Sequence, residues 1–490
     1  MRTEPGDEMP DQQDLDHQDS RAASLPTSRR PEQYRAMIVL SGSTVLLIGA
    51  VALLSLPGAW ANEGSASLMT AAFTATSAVT VTGLTVADPT SWTNLGQLVI
   101  LALIQLGGIG TMTLASLLIR SLGVALHQRT RQGALSEYGL QLRRPGAHLW
   151  AVVVVSVIAE AIIAAVLTIG FANSADVGWG TAIWWGLFHA VSAWNNAGFG
   201  LFGDSVLGFA ASPSVLVPIM VAVTVGGLGI TVLDDLGTRF IATVRRRVSR
   251  IPPSQWRRAP TRPRPITLHT KLTLATTAVL LVAGTLLLSL FEWGNPSTLG
   301  QHGIADRATN GVMLSSMART AGFAAVDTAQ LTDSSVLLHG FLMFVGGGSG
   351  STAGGIKVTT LAVLILMVVA EVRGRETSTA YQREVSAKIQ RQAMTVTALG
   401  VVVVAIGVFT LLAVAPSDAQ PLDVLFEAIS AFGTVGLSRG LTTHFDTVGQ
   451  VTLMIMMFLG RVGPLVVGTA FLHASTTSPI HYPQGRITVG

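Results

Sequence analysis

The chain has 490 residues, of which 49% are hydrophobic and only 12% charged, and its mean hydropathy is +0.54. Ordinary soluble domains carry about twice that share of charge, so a soluble enzyme or a string of soluble domains is a poor description. The net charge is +4 and cysteine is absent, which excludes disulfides and thiolate metal sites and leaves the redox compartment open.

Residues 1–35 are polar, hold eight acids and lack the apolar stretch of a signal peptide, so they read as a disordered tail. The first apolar run, 36–56, is long enough to cross a hydrocarbon layer of about 30 Å at about 1.5 Å per residue. Further runs of spanning length follow at 95–119, 148–171, 214–236, 270–291, 337–370, 393–415 and 450–472, giving eight expected spans. Between the members of each pair lies a shorter segment rich in small residues, at 66–82, 182–197, 308–321 and 423–435. These are too short to cross and read as re-entrant half-helices.

Basic residues set the orientation. Residues 239–271 hold ten Lys or Arg and no acid, which predicts a cytoplasmic loop. The connections at 120–147 and 371–391 are also Arg-rich and fall on the same side if the spans are right. Both termini are then cytoplasmic. The opposite side carries acids from Glu63 to Asp446, and an acidic outer mouth concentrates cations. A pI near 9.8 raises nucleic-acid binding, but topology alone accounts for the basic loop and no nucleic-acid partner is expected.

The half-helices contain an internal repeat. Phe73 to Leu84 (FTATSAVTVTGL) is echoed by 188–199 (FHAVSAWNNAGF), 312–323 (VMLSSMARTAGF) and 426–437 (FEAISAFGTVGL). Each copy has a glycine, Gly83, Gly198, Gly322 or Gly436, with a serine six residues earlier, Ser77, Ser192, Ser316 or Ser430. The glycines are separated by 115, 124 and 114 residues. The third copy departs in having Val312 where the others have Phe.

Two crossings per repeat return the chain to its starting side, so the repeats are parallel and can surround one axis. Irregular backbone at membrane depth is tolerated when buried or lining a water-filled cavity, and glycine lets consecutive carbonyls face that axis. Such carbonyls can replace the water shell of a monovalent cation. The expected cation contacts are Val81, Thr82 and Gly83; Asn196, Ala197 and Gly198; Thr320, Ala321 and Gly322; and Thr434, Val435 and Gly436.

A second fourfold feature lies in the inner helices, where glycine clusters begin at Gly107, Gly226, Gly346 and Gly460, which are 24, 28, 24 and 24 residues after the filter glycines. In the first two copies, helix-packing notches explain these glycines equally well. In the third they expand to Gly346, Gly347, Gly348, Ser349, Gly350, Ser351, Thr352, Ala353, Gly354 and Gly355, which should break the helix and form a movable plug. In the fourth, Arg461 follows Gly460. A charge at that depth is accommodated by a water-filled cavity.

These features resemble the Trk/Ktr/HKT superfamily of potassium transporters across about residues 36–475. The resemblance implies an all-α membrane protein of four parallel repeats, each outer helix, pore half-helix, filter loop and inner helix, at 36–119, 148–236, 270–370 and 393–472, with a cytoplasmic tail at 473–490. It implies potassium as the transported ion at the four glycine loops, 346–355 as an intramembrane gate, and Arg461 below the filter. Glycine at position 83, rather than serine, goes with potassium selectivity in that superfamily, and eight spans look more like its Ktr branch. The resemblance further implies a homodimer in the plasma membrane and a cytoplasmic nucleotide-binding regulatory ring, with no organic cofactor on this chain and no enzymatic activity. Passive flux and sodium-dependent uptake both fit this plan.

Other signals weigh less. Gly198 to Gly203 spells a dinucleotide fingerprint but follows a half-helix, and Gly350 to Gly355 spaces like a phosphate loop with Ile356 where lysine is required. Glu160 is a lone carboxyl in an apolar run, expected to be neutralised by a hydrogen bond or partner rather than to lie on the ion path, and His189 is expected to be a packed histidine. Arg319, three residues before Gly322, is expected to brace the filter by pairing with Asp327 or Glu427. Parallel repeats argue against a symporter of inverted repeats, and no helix carries the arginine spacing of a voltage sensor.

Overall fold

The computed structural model describes residues 45–127, 145–248 and 266–473. The expected tails, 1–35 and 473–490, fall outside these residues apart from His473, as do the middles of two basic connections. From Gly49 onward the described chain forms one compact unit. After the short helix α1 (Val45–Leu54), four segments repeat the same order: a half-helix, a buried loop and a further helix or broken pair of helices.

The half-helices are α2 (Leu68–Val79), α5 (Trp179–Trp194), α9 (Ile304–Met317) and α13 (Pro421–Gly433). The helices after them are α3 (Asn94–His127); α6 (Pro213–Gly226) with α7 (Ile230–Val248); α10 (Asp333–Phe344) with α11 (Val358–Val372); and α14 (Thr447–His473). Before the second, third and fourth half-helices stand α4 (Pro145–Ser174), α8 (Leu268–Glu292) and α12 (Ala387–Val414). Local chemistry sets the starts. Ser67, Thr267 and Thr332 cap α2, α8 and α10 by accepting from backbone N–H groups three residues on, and Pro213 and Pro421 open α6 and α13 where a missing N–H costs nothing.

Packing links the segments in a cycle. The helix after the loop of each segment touches the half-helix of the next, α3 on α5, α6 on α9 and α10 on α13, and the last, α14, touches the first half-helix, α2. Hydrophobic clusters lie at these boundaries. Leu216 and Ile219 meet Met313 and Met317; Leu342 and Met343 meet Phe426; Met456 and Leu453 share a cluster with Phe73. The outward faces of α4, α8 and α12 are apolar too, with Ile162, Leu286 and Phe409 each more than 60% exposed. Helices apolar toward both core and surroundings suit a lipid bilayer.

By length and composition, three helical stretches can cross a membrane: Val152–Ser174, Leu268–Glu292 and Ala387–Val414. A bent pair, Pro213–Gly226 with Ile230–Val244, makes a fourth. The eight spans read from the sequence are therefore not reached on these criteria among the described residues. Glycine interrupts two of the expected runs: 337–370 divides into α10 and α11, and 214–236 turns through 101° between α6 and α7. One element is not helical. Strands β1 (Thr379–Ala380) and β2 (Arg383–Glu384) form a small antiparallel hairpin in the connection before α12, a correction to the all-α expectation. Tyr381 and Gln382 both take positive φ, as a tight hairpin turn demands.

Candidate functional site

The four loops after the half-helices share one backbone conformation. Two residues before each glycine the chain is left-handed, with φ of 56° at Val81, 57° at Asn196, 74° at Thr320 and 49° at Thr434. The glycines Gly83, Gly198, Gly322 and Gly436 are left-handed as well, at 92°, 71°, 68° and 92°, while the residues between, Thr82, Ala197, Ala321 and Val435, are not. In a regular extended chain successive carbonyls alternate in direction; reversing φ at every second residue turns them to one side. A side chain held left-handed costs about 1 to 3 kcal/mol and persists where its surroundings fix it. Here it recurs four times, at residues that are all fully or almost fully buried.

The loops also meet one another. A Cβ built on Gly198 would stand 2.8 Å from the Ala321 carbonyl oxygen, and one on Gly83, Gly322 or Gly436 would collide with the carbonyl oxygen of Ala197, Val435 or Thr82. The contacts run from loop to loop in chain order and return to the first. The structure thus brings the four loops together at their glycines and at Thr82, Ala197, Ala321 and Val435.

Each loop leaves its helix by a defined exit. Thr82, Ala197 and Val435 donate their N–H to the carbonyls of Ser77, Ser192 and Ser430, five residues back, at 2.8 to 2.9 Å. The third loop differs, because Ala321 and Gly322 both donate to Met317. The repeated serine has no uniform side-chain role. Ser77 accepts from the Gly83 N–H at 3.0 Å, whereas Ser316 donates to Val312 within its own helix. The inner-helix glycines are close-approach notches: side chains on Gly107, Gly226 or Gly460 would strike the carbonyls of Val79, Trp194 or Phe432, each four residues before a loop glycine.

Arg319 is buried, 8% exposed, but its partner is not the one expected. It donates to the Thr277 carbonyl at 3.2 Å and to Thr277 Oγ1 at 3.4 Å, fastening the third loop to α8. Neither Asp327 nor Glu427 pairs with it. Asp327 accepts from the Ala329 N–H, and Glu427 accepts from Ser438 Oγ at 2.6 Å, the Arg439 N–H at 2.9 Å and Thr442 Oγ1 at 2.6 Å. Arg439 in turn pairs with Asp423 and donates to the Thr328 carbonyl, tying the stretch after the fourth loop to that after the third. Nothing in the sequence singles out Arg439. The available signal was Glu427, an acid inside a half-helix.

Residues 346–355 leave helical geometry and are buried except for the half-exposed Ser349. Their backbone groups find neighbours: Gly348 donates to Gly227, Gly350 accepts from Ile230, and Gly346 donates to Ile356. The stretch therefore rests on the bend between α6 and α7. Thr352 connects it to two other parts of the site. Its hydroxyl donates to Asn196 Oδ1 at 3.1 Å, and its carbonyl accepts from the Arg461 guanidinium. Lys357 Nζ donates to the Ala353 carbonyl. His189 is packed against Phe171, Phe188, Phe202 and Phe323, and its Nδ1 bonds the Trp185 carbonyl at 2.8 Å.

Comparison with known proteins places the chain. The family model described as TrkH, cation transport protein, matches residues 35–478. The chain belongs to this family. It is 35% identical over 451 residues to the Ktr system potassium uptake protein B of Bacillus subtilis (strain 168), covering 91% of this chain and 94% of that protein. It is 32% identical over 463 residues to the potassium/sodium uptake protein NtpJ of Enterococcus hirae, covering 92% and 96%. Among solved structures, the potassium transporter TrkH from Vibrio parahaemolyticus matches with a TM-score of 0.66 at 18% identity, covering 92% of this chain and 86% of that one, which establishes a shared fold. The chain is accordingly a membrane cation transporter and not an enzyme.

Proposed function

We propose that this TrkH-family protein carries potassium into the cell across the plasma membrane, through one pore surrounded by four parallel repeats and eight spans. The observation that carries this reading is the closed cycle of contacts between Gly83, Gly198, Gly322 and Gly436, in loops whose alternating φ turns carbonyls to one side. Backbone carbonyls from Val81–Gly83, Asn196–Gly198, Thr320–Gly322 and Thr434–Gly436 then take the place of potassium's hydration water. The half-helices end at these loops and direct the negative ends of their dipoles toward the ion. Arg319 supports the third loop from α8.

Residues 346–355 act as a gate beneath this filter, and Arg461 holds the loop through Thr352 while opposing cations electrostatically. The protein works as a homodimer, and a cytoplasmic nucleotide-binding regulatory ring drives the gate; both assignments follow the family resemblance. Both termini are cytoplasmic. Sodium is the competing ion of interest, since one relative is named for potassium and sodium uptake.

The test is flux into proteoliposomes holding the purified full-length chain, measured with potassium, rubidium, sodium and an uncharged solute. Rubidium and potassium should enter and the uncharged solute should not. Solute entry, or sodium entering as readily as rubidium, would remove the carbonyl-filter reading.

A further inference from the structure

The position three residues before each filter glycine is occupied by Thr80, Asn195, Arg319 or Gly433, and each is anchored differently. Thr80 Oγ1 donates to the Thr76 carbonyl at 2.7 Å and bonds Thr82 Oγ1 at 2.8 Å, within its own loop. Arg319 reaches Thr277 on α8. Gly433 has no side chain, and one there would stand 2.6 Å from the Met343 carbonyl oxygen. Asn195 is the position where a buried carboxyl enters. Its Nδ2 lies 3.0 Å from Glu160 Oε1 on α4 and 2.8 Å from Gln105 Oε1 on α3. Gln105 Nε2 closes the triangle with Glu160 Oε2 at 3.1 Å. Glu160 is 6% exposed and Asn195 is 1% exposed.

The chemistry of the triangle fixes its orientation. Both amides present their N–H₂ groups to the Glu160 carboxyl, and Gln105 offers its oxygen to Asn195. The other end of the Asn195 side chain, Oδ1, lies against Gly108, where any added side chain would overlap it. The carboxamide therefore has one orientation and one place. It caps α5 and immediately precedes Asn196, the first carbonyl of the second filter loop. Glu160 belongs to the second repeat and Gln105 to the first, so the triangle spans the boundary between them, where Trp184 Nε1 also donates to Gln97 Oε1 at 2.9 Å.

We propose that Glu160 is a positioning residue for ion selection: with Gln105 it holds the Asn195 carboxamide, and through Asn195 it sets where the Asn196–Gly198 carbonyls stand. The inference rests on the carbonyl-filter reading above. Glu160 makes no contact with the ion. Its effect is on the spacing of one wall of the filter relative to the first repeat.

The test uses the full-length chain in proteoliposomes and reads the ratio of rubidium to sodium flux, a property of each working molecule that does not depend on the fraction correctly folded. Glu160→Leu and Asn195→Ala should each lower the ratio by about fivefold to tenfold, the scale of one lost buried hydrogen bond expressed in selectivity. The double variant should be no worse than the weaker single, because the two residues share one interaction. Glu160→Gln keeps one acceptor for Asn195 but sets an N–H₂ group against that of Gln105, so it should lower the ratio by less than Glu160→Leu. Gln105→Leu approaches the triangle from α3 and should lower the ratio even if the α4 variants do not insert. Gly83→Ser run in parallel separates the two failures. A ratio that falls in Gly83→Ser but not in Glu160→Leu, Asn195→Ala or Gln105→Leu overturns the positioning role. A ratio unmoved in Gly83→Ser as well overturns the filter reading beneath it.

Discussion

Gly83→Ser is the sharpest perturbation of the carbonyl cluster. Gly83 has φ of 92°, where an L-residue is disfavoured by about 1 to 2 kcal/mol. Its new Cβ would collide with the Ala197 carbonyl oxygen and stand 3.1 Å from the Gly198 Cα, so the overlap is with backbone and cannot be relieved by rotating a side chain. Either the first loop or the second must shift, and both supply carbonyls to the ion. If strain of about 1 to 2 kcal/mol falls on potassium binding and not on sodium, the rubidium-to-sodium flux ratio drops by about 5- to 30-fold. Gly83→Ala should behave alike, since the argument concerns the Cβ and not a hydroxyl. Gly64 is the internal control: its φ of 93° matches, but nothing lies within 4 Å of its Cβ position, so Gly64→Ser should leave the ratio alone. Radiotracer uptake into proteoliposomes measures all three. An unchanged ratio in a folded Gly83→Ser protein, or an equal loss in Gly64→Ser, would refute the reasoning.

Deleting 348–353 should raise flux in the absence of any cytoplasmic partner, and Arg461→Ala should do so in part. The combined effect should be less than additive because both disturb one closed arrangement through Thr352; unchanged or abolished flux in an inserted deletion protein counts against a gate. Glu427→Ala should destabilise the purified protein by about 2 to 4 kcal/mol, since Ser438, the Arg439 N–H and Thr442 lose their buried acceptor together. Glu427→Gln should be milder, and a melting temperature untouched by either change would show that the outer loops are held some other way.

The four glycine loops were legible because they are written in residues whose chemistry has few alternatives. Glycine at 83, 198, 322 and 436 announces backbone that a side chain would obstruct, and the structure has carbonyls where those side chains would be. The equivocal glycines of the first two inner helices were also readable in kind: Gly107 and Gly226 receive the ends of half-helices. Partners were harder. Arg319 and Glu427 look complementary in a list of charges, yet opposite charge carries no directional information, and hydroxyls and a backbone N–H eleven to fifteen residues away reach Glu427 first. The 101° turn at Gly227 to Gly229 escaped because an apolar run reads as continuous whether or not its helix bends.

That turn changes how the third repeat is understood. A glycine-rich break in one helix would be expected to leave its backbone groups to water. Instead, Gly348 donates to Gly227, Gly350 accepts from Ile230, and Gly229 has its Cβ position 2.7 Å from the Ser349 carbonyl oxygen. The break in the third inner helix is thus seated in a matching break in the second. On the gating proposal, 346–355 cannot move without breaking hydrogen bonds to the α6–α7 bend as well as those of Thr352 to Asn196 and Arg461. Opening would then draw on the second, third and fourth repeats together. The Thr352 hydroxyl on Asn196 would carry the same event to the filter, so Thr352→Val should alter partner-independent flux and ion preference jointly. If flux alone changed, the contact between Thr352 and Asn196 would be a packing detail and the filter would be independent of the gate.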